Sequence, residues 1–413
     1  MQAMQREDLV PSSYRAERLF LLDILGGEPL DAGAAASIDA DALLDVTPRT
    51  LYPYLHARLQ PVAFGLPPRV LAVLAQHRRQ NAVKEMRRIA DLGRIGSALD
   101  AARIPWLVLK GPILAATVYP PGTRTMLDLD LLVHEADMAR AIGALQALGY
   151  FVPPRFAGTM MNAGDAPPMV NGQPDSPVIE LHSLLDSVLV DDAALEAAWD
   201  SHRVVDLGHG LAVPALDRAE FFAHVVTHVS RHHRFEGELR SLLDVALLLR
   251  SPETDFDWKT VAVEWRRRRI DGWIALTLSL AGVLLGSAVP DVFAGAATDS
   301  EALKLAAEQL WVQKERRISG KITSLVTREA PAALHTHAAL RSVPMPAGLA
   351  GVRLRASRQW QRVRRTFLTL RDGTLRPGNI AENVDLFRKR ERLFAMLESG
   401  ATQDPLPLGR PPR

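Results

Sequence analysis

The chain has 413 residues, enough for two or three domains with sizeable cores, and its formal net charge is only +2 although the sequence pI is near 9.0. The absence of cysteine excludes a disulfide framework, thiolate catalysis and any Cys-based zinc site. So balanced a charge does not call for a nucleic-acid partner, and the polar N-terminus and the lack of any apolar run of ~18 residues favour a cytoplasmic protein with no membrane span.

In chain order, residues 14–100 read as helix. Leu19 to Leu25 is an apolar helix ended by Gly26-Gly27, and after Pro48 the positions Leu51, Tyr54 and Leu55 keep helical spacing. The longest helix is predicted from about Pro68 to Ala102. Along it Leu71, Leu74, Ala75, Ala82, Met86, Ile89 and Leu92 keep to one side. Arg78, Arg79, Lys84, Arg87 and Arg88 take the other, where a solvated face is the first reading and a nucleotide or peptide contact the second.

The stretch from Trp106 to Val133 organises the rest. Trp106-Leu107-Val108-Leu109 is too short for a helix and suits a buried strand. Lys110-Gly111-Pro112 leads into an apolar helical segment, Ile113 to Val118. Pro120-Pro121-Gly122 then turns the chain into a second strand, Met126 to Val133. Within it Asp128 and Asp130 lie two apart and leave on one face. Paired carboxylates repel, and burying them without a cation is costly. A divalent metal accounts for the pair, and oxygen-only ligands favour Mg²⁺ or Mn²⁺.

Glu135 to Leu148 is predicted as an amphipathic helix ended by Gly149, and Tyr150-Phe151-Val152 as a strand. Residues 153–177 form a long Pro-, Gly- and Asn-rich loop of the kind that closes over a site or is disordered. Ser176 to His182 gives a further strand. Glu180 on it is the candidate third metal carboxylate, and His182, sharing its face, is suited to bond a metal-bound water or a phosphate. A carboxylate paired with arginine and a buried, satisfied histidine are the alternatives for these two. Lys110, at a turn before a helix, and Arg124, ahead of the acidic strand, are candidate phosphate contacts; ion pairs with the aspartates are the alternative. Gly111 serves either a close backbone approach to a ligand or a tight turn.

From residue 196 the pattern returns to helix. The runs are Ala219 to Val229 behind an Asp217 N-cap, Leu239 to Leu249, and Leu276 to Leu285, with four arginines at 266–269. His224, His228 and His232 share one helix face; lacking a fourth ligand, a zinc site there is the lesser reading and a face meeting the core the first. Residues 346–376 hold eight arginines with Trp360 and Phe367 interleaved, either a surface helix or a grip for RNA or another polyanion. The expected divisions are a helical domain at 1–102, an α/β core at 103–195, a helical domain at 196–345, and an Arg-rich helix with a flexible tail at 346–413.

The strand, Gly turn, helix and Asp-x-Asp strand resemble the nucleotidyltransferase superfamily built on the DNA polymerase β palm. More closely, Leu109-Lys110-Gly111, then Arg124-Thr125-Met126 running into Asp128-Leu129-Asp130-Leu131-Leu132-Val133, and finally Val178-Ile179-Glu180-Leu181-His182 are similar to the bacterial nucleotidyltransferase family proteins. The resemblance spans residues 70–250 and implies an α+β fold, a palm-like mixed-sheet core flanked by mainly helical N- and C-terminal domains. It implies metal-dependent transfer of NMP from an NTP, ATP by default, to a hydroxyl or phosphate of a small molecule, peptide or protein. Peptide natural-product biosynthesis is one setting for such a reaction. The resemblance further implies that Glu180 helps deprotonate the acceptor hydroxyl, and that His228 and Asp244, on a His-bearing and an Asp-bearing helix, frame the nucleotide pocket. One departure bears on activity: superfamily members place Gly-Ser after the first strand to hold the phosphates, whereas Pro112, with neither hydroxyl nor backbone N–H, follows Gly111. The alternatives are a pseudoenzyme that holds a nucleotide or peptide for a partner enzyme, and an RNA-modifying nucleotidyltransferase.

Overall fold

The computed structural model describes residues 4–60, 65–154, 156, 165–173, 175–187, 192–294, 299–312 and 377–400; the Arg-rich stretch 346–376 and the tail after residue 400 lie outside them. Helices α1 (Arg15–Gly26), α2 (Ala32–Ser37), α3 (Ala40–Val46) and α4 (Tyr52–Leu59) come first. Short polar side chains start two of them. Asp31 accepts from Gly33 N–H, and Asp39 from the N–H groups of Asp41 and Ala42. α5 (Pro68–Ala101) runs unbroken for 34 residues, its buried face made by Val70, Leu74, Ile89, Leu92, Ile95 and Leu99. Gly96 lies on that face because a Cβ there would meet the Trp106 ring at 2.5 Å.

The sheet has five strands, β1 (Trp106–Val108), β2 (Asp128–Val133), β3 (Val178–His182), β4 (Arg203–Asp206) and β5 (Ala212–Ala215), in the order β3-β2-β1-β5-β4. β2 runs parallel to β3 and antiparallel to β1, β1 parallel to β5, and β5 antiparallel to β4, so the sheet is mixed. Between β1 and β2 the chain forms α6 (Gly111–Thr117); after β2 comes α7 (Met138–Ala147), and α8 (Asp192–Asp200) precedes β4. The interior strands β1 and β2 are almost wholly buried, which is why they read as continuous apolar runs interrupted only by the aspartates.

The remaining helices are α9 (Arg218–Thr227), α10 (Leu239–Leu249), α11 (Trp258–Arg267), α12 (Asp271–Leu285), α13 (Asp291–Ala294), α14 (Ser300–Leu310) and α15 (Pro377–Gly400). Asp217 caps α9 by accepting from Ala219 and Glu220 N–H. One contiguous apolar core joins these helices to the sheet. No helix among the described residues is long and apolar enough to cross a membrane.

Three local expectations are corrected. The segment after residue 196 is not helix throughout, since β4 and β5 form a hairpin there. Each has only four residues, too few to set a period, and Gly208, His209 and Gly210, all at positive φ, make the turn. Tyr150-Phe151-Val152 contributes a single bridge, Phe151 to Val170, rather than a strand. Finally, the helix expected to reach Val229 stops at Thr227 and continues as a π-helix, His228–His232.

Candidate active site

Alternation along β2 puts Leu129, Leu131 and Val133 on one face, each fully buried, and leaves Asp128 and Asp130 on the other. The parallel register with β3 sets Glu180 directly against Asp130 and His182 against Leu132. Asp130, Glu180 and His182 each offer a ligand atom within 4.8 Å of the others'. These side chains form one wall of a cavity of about 390 Å³, within the range of small-molecule sites. Lys110, Gly111, Arg124, Asp128, Asp130, Glu180, His182, His228 and Asp244 all line it, so these nine candidates meet in one place. None of the basic positions of α5 does; Lys84 and Arg87 pair instead with Asp175, at 2.9 and 3.5 Å.

The carboxylates share too little positive charge. Burial, then repulsion from Asp130 and Asp128, pushes Glu180 up to about 6, and burial with Asp130 raises Asp128 as well. Asp130 goes the other way. Burial disfavours its charge, but Lys110 Nζ at 3.3 Å and His182 Nε2 at 3.0 Å outweigh burial and hold it well below the carboxylate range. His182 donates from both ring nitrogens, to Asp130 and, through Nδ1 at 2.8 Å, to Asp165. Burial opposes its charge, yet these two bonds raise it to about 10. Asp165 reaches His182 because residues 165–170 run antiparallel along the outer edge of β3, tied at Ala166, Met169 and Ile179. Three oxygen-donor carboxylates short of charge suit a hard divalent cation, and Lys110 and His182 supply the balancing charge meanwhile.

Lys110 takes φ +46°, an uncommon backbone for a residue with a side chain, at the bend from β1 into α6. Its ammonium meets Asp130 and lies 3.4 Å from His228 Nε2. Arg124, expected as a phosphate fork, is committed elsewhere. Its Nε and one Nη donate to the two oxygens of Asp244, each at 2.9 Å, and the other Nη donates to the Gly111 carbonyl at 3.3 Å. Tyr119 completes the clamp, its hydroxyl donating to Asp244 at 2.7 Å. Gly111 makes room for this arrangement, since a Cβ would meet Arg124 and Met126 at 3.2 and 3.3 Å. Asn81 of α5 and Arg240 of α10 pin the same turn by donating to the carbonyls of Gly122, Arg124 and Thr125.

Sequence reading missed Asp165, Asp186, His233 and Arg240, which also border or line the cavity. Asp186 follows β3 and meets the His228 and His232 rings across 42 and 46 residues of chain. Burial opposes its charge, but His232 and His228 hold Asp186 well below its ordinary value. No periodicity flags an isolated aspartate in a loop. A family model described as "Uncharacterised nucleotidyltransferase" matches residues 36–286. No curated protein matches the chain.

Proposed function

The chain belongs to this family of uncharacterised nucleotidyltransferases, and on that premise we propose that the cavity moves NMP from an NTP, ATP by default, to a hydroxyl or phosphate oxygen of a small-molecule, peptide or protein acceptor. The observation that carries this reading is the parallel register that sets Glu180 against Asp130, with Asp128 on the same face. Asp128, Asp130 and Glu180 would hold Mg²⁺ or Mn²⁺, which would supply positive charge to offset the triphosphate and the charge that builds during transfer. Glu180, set directly against Asp130, is placed to help take the proton from an acceptor hydroxyl. Lys110 provides a buried positive charge at the same wall, suited to a phosphate oxygen. Because Arg124 is clamped by Asp244, its part is to fix the turn that leads into β2.

The test is incubation with Mg²⁺, each α-³²P-labelled NTP and panels of alcohols, peptides, proteins and tRNA, followed by product mass. An acceptor heavier by one NMP, with labelling lost in Asp128→Asn and Asp130→Asn, supports the reading. Labelling of tRNA alone, falling steeply with salt, would move it to the RNA alternative. A second reading has its own observation: Lys110 and His182 already neutralise Asp130, and Pro112 offers no phosphate donor, as a nucleotide-holding pseudoenzyme would allow. Calorimetry with a non-hydrolysable NTP separates the two, since a pseudoenzyme binds it equally with and without Mg²⁺.

A further inference from the structure

The other side of the cavity is built on an unusual helix end. Past α9 the residues His228–His232 form a π-helix, and His233 N–H donates to the His228 carbonyl five residues back at 3.0 Å. In an α-helix His228 and His232 would share a face and His233 would lie well round the cylinder. The wider turn brings all three together, with ring centroids 4.9 Å apart for His228 and His232 and 4.4 Å for His228 and His233. Such turns are rare and recur at functional sites. Asp186 meets this face, its Oδ2 2.7 Å from His228 Nδ1 and its Oδ1 3.0 Å from His232 Nδ1.

We propose that Asp186, His228 and His232 bind a borderline divalent transition-metal ion, Zn²⁺ in the first instance, at a site separate from the Asp128, Asp130 and Glu180 carboxylates. The three ligand atoms lie within 4.8 Å of one another. Around Zn²⁺ with bonds of about 2.0–2.1 Å, neighbouring tetrahedral ligands stand about 3.3 Å apart, and both imidazole Nδ1 atoms already face Asp186, one at each carboxylate oxygen. Two imidazoles and one carboxylate select such an ion over Mg²⁺, which prefers the all-oxygen set across the cavity. The ring of His228 is held from behind as a ligand's should be. Its Nε2 lies 2.9 Å from His233 Nε2, a contact behind the ring that orients it, with the Glu238 carboxylate 3.8 Å from His233 Nδ1. His224, 2% exposed, lines the same cavity with an Nε2 that has no hydrogen-bond partner among the described residues. Three protein ligands leave a fourth position open to a water or substrate oxygen, and His232, with a side chain 37% exposed, gives the ion a way in. Lys110 stands between the two donor sets, its Nζ 3.3 Å from Asp130 and 3.5 Å from His228 Nδ1, and would swing toward Asp130 as the ion binds.

The inference does not rest on nucleotidyl transfer, and its readout needs no turnover. The full chain, stripped of metal by chelation, is titrated with Co²⁺ and followed by visible absorption. One equivalent with the intense bands of tetrahedral coordination, displaced by Zn²⁺, is expected for wild type and for Asp128→Asn and Asp130→Asn. The bands should vanish in His232→Ala and Asp186→Asn, and the affinity should fall roughly 10–100-fold in His233→Ala. His232 is exposed enough that its loss leaves the fold intact, which thermal unfolding without metal verifies. Wild type that gives no such bands, His232→Ala that keeps them, or binding that disappears with Asp128 or Asp130 overturns the proposal.

Discussion

Asp130 is 5% exposed and carries a full negative charge between Lys110 and His182. In the metal-free chain that arrangement has a pH signature. His182 rises from 6.5 to about 10 on folding, so the folded state binds more protons than the unfolded state between those values. The stability it contributes is complete below pH 6.5 and is lost as pH climbs toward 10, on the order of a few kcal/mol. With EDTA present, the melting temperature should fall over that window, and His182→Gln should flatten the fall; an equally steep decline in the variant would assign it to other groups. Arg124 yields a second expectation. If its task is to clamp the turn to α10, Asp244→Ala strands a buried guanidinium and lowers unfolding free energy by about 3–5 kcal/mol in urea titration. A phosphate contact alone would leave stability near wild type. The Asp-x-Asp pair, Glu180 and His182 were legible because alternation on a strand fixes which side chains share a face. Arg124's commitment was not, since its partner lies 120 residues away on another helix.

Individual elements are held by a few close approaches. The crossing of α5 over β1 depends on Gly96, where any Cβ would overlap the Trp106 ring, itself anchored by Nε1 donating to Asp100 at 2.8 Å. Gly96→Ala should therefore lower stability by about 1–3 kcal/mol, as overpacking does, and a calorimetric scan with no shift in melting temperature would show that the helix can slide. The length of α5 and the strands β1 to β3 could be read from apolar pattern alone. What pattern could not supply was the π-turn. Its residues, His228-Val229-Ser230-Arg231-His232, look like ordinary helix. The widening is held from beyond it, where Arg234 and Phe235 take left-handed backbone and Phe235 is fully buried. Tertiary packing sets that turn, and sequence period carries no trace of it.

At the scale of the molecule, helices beyond the stretch that matches the family model reach back to the cavity's histidine side. The turn after the π-helix is gripped from two directions. Gly237 N–H donates to the Gln309 carbonyl of α14 at 2.9 Å. From α15, Glu391 accepts from Arg234 at 2.9 Å and Arg390 donates to Glu236 at 3.2 Å. Leu393 and Phe394 bury themselves beside these pairs, Phe394 against Trp273 and beneath Arg234. Helix was expected in both flanks, at 196–345 and within 346–413, but nothing in the sequence said that one of them would brace the site. The arrangement implies that α15 stabilises the His228–His233 turn rather than the sheet. Glu391→Ala removes a charge-assisted bond worth about 1.5–3 kcal/mol, which should raise amide exchange at 228–237 roughly 10–100-fold while β1 and β2 stay protected. If exchange rises equally in the strands, α15 supports the whole fold; if it rises nowhere, the turn stands without it. Because the turn carries His228 and His232, the same variant should loosen Co²⁺ binding while leaving the Asp130 and Glu180 wall as it was.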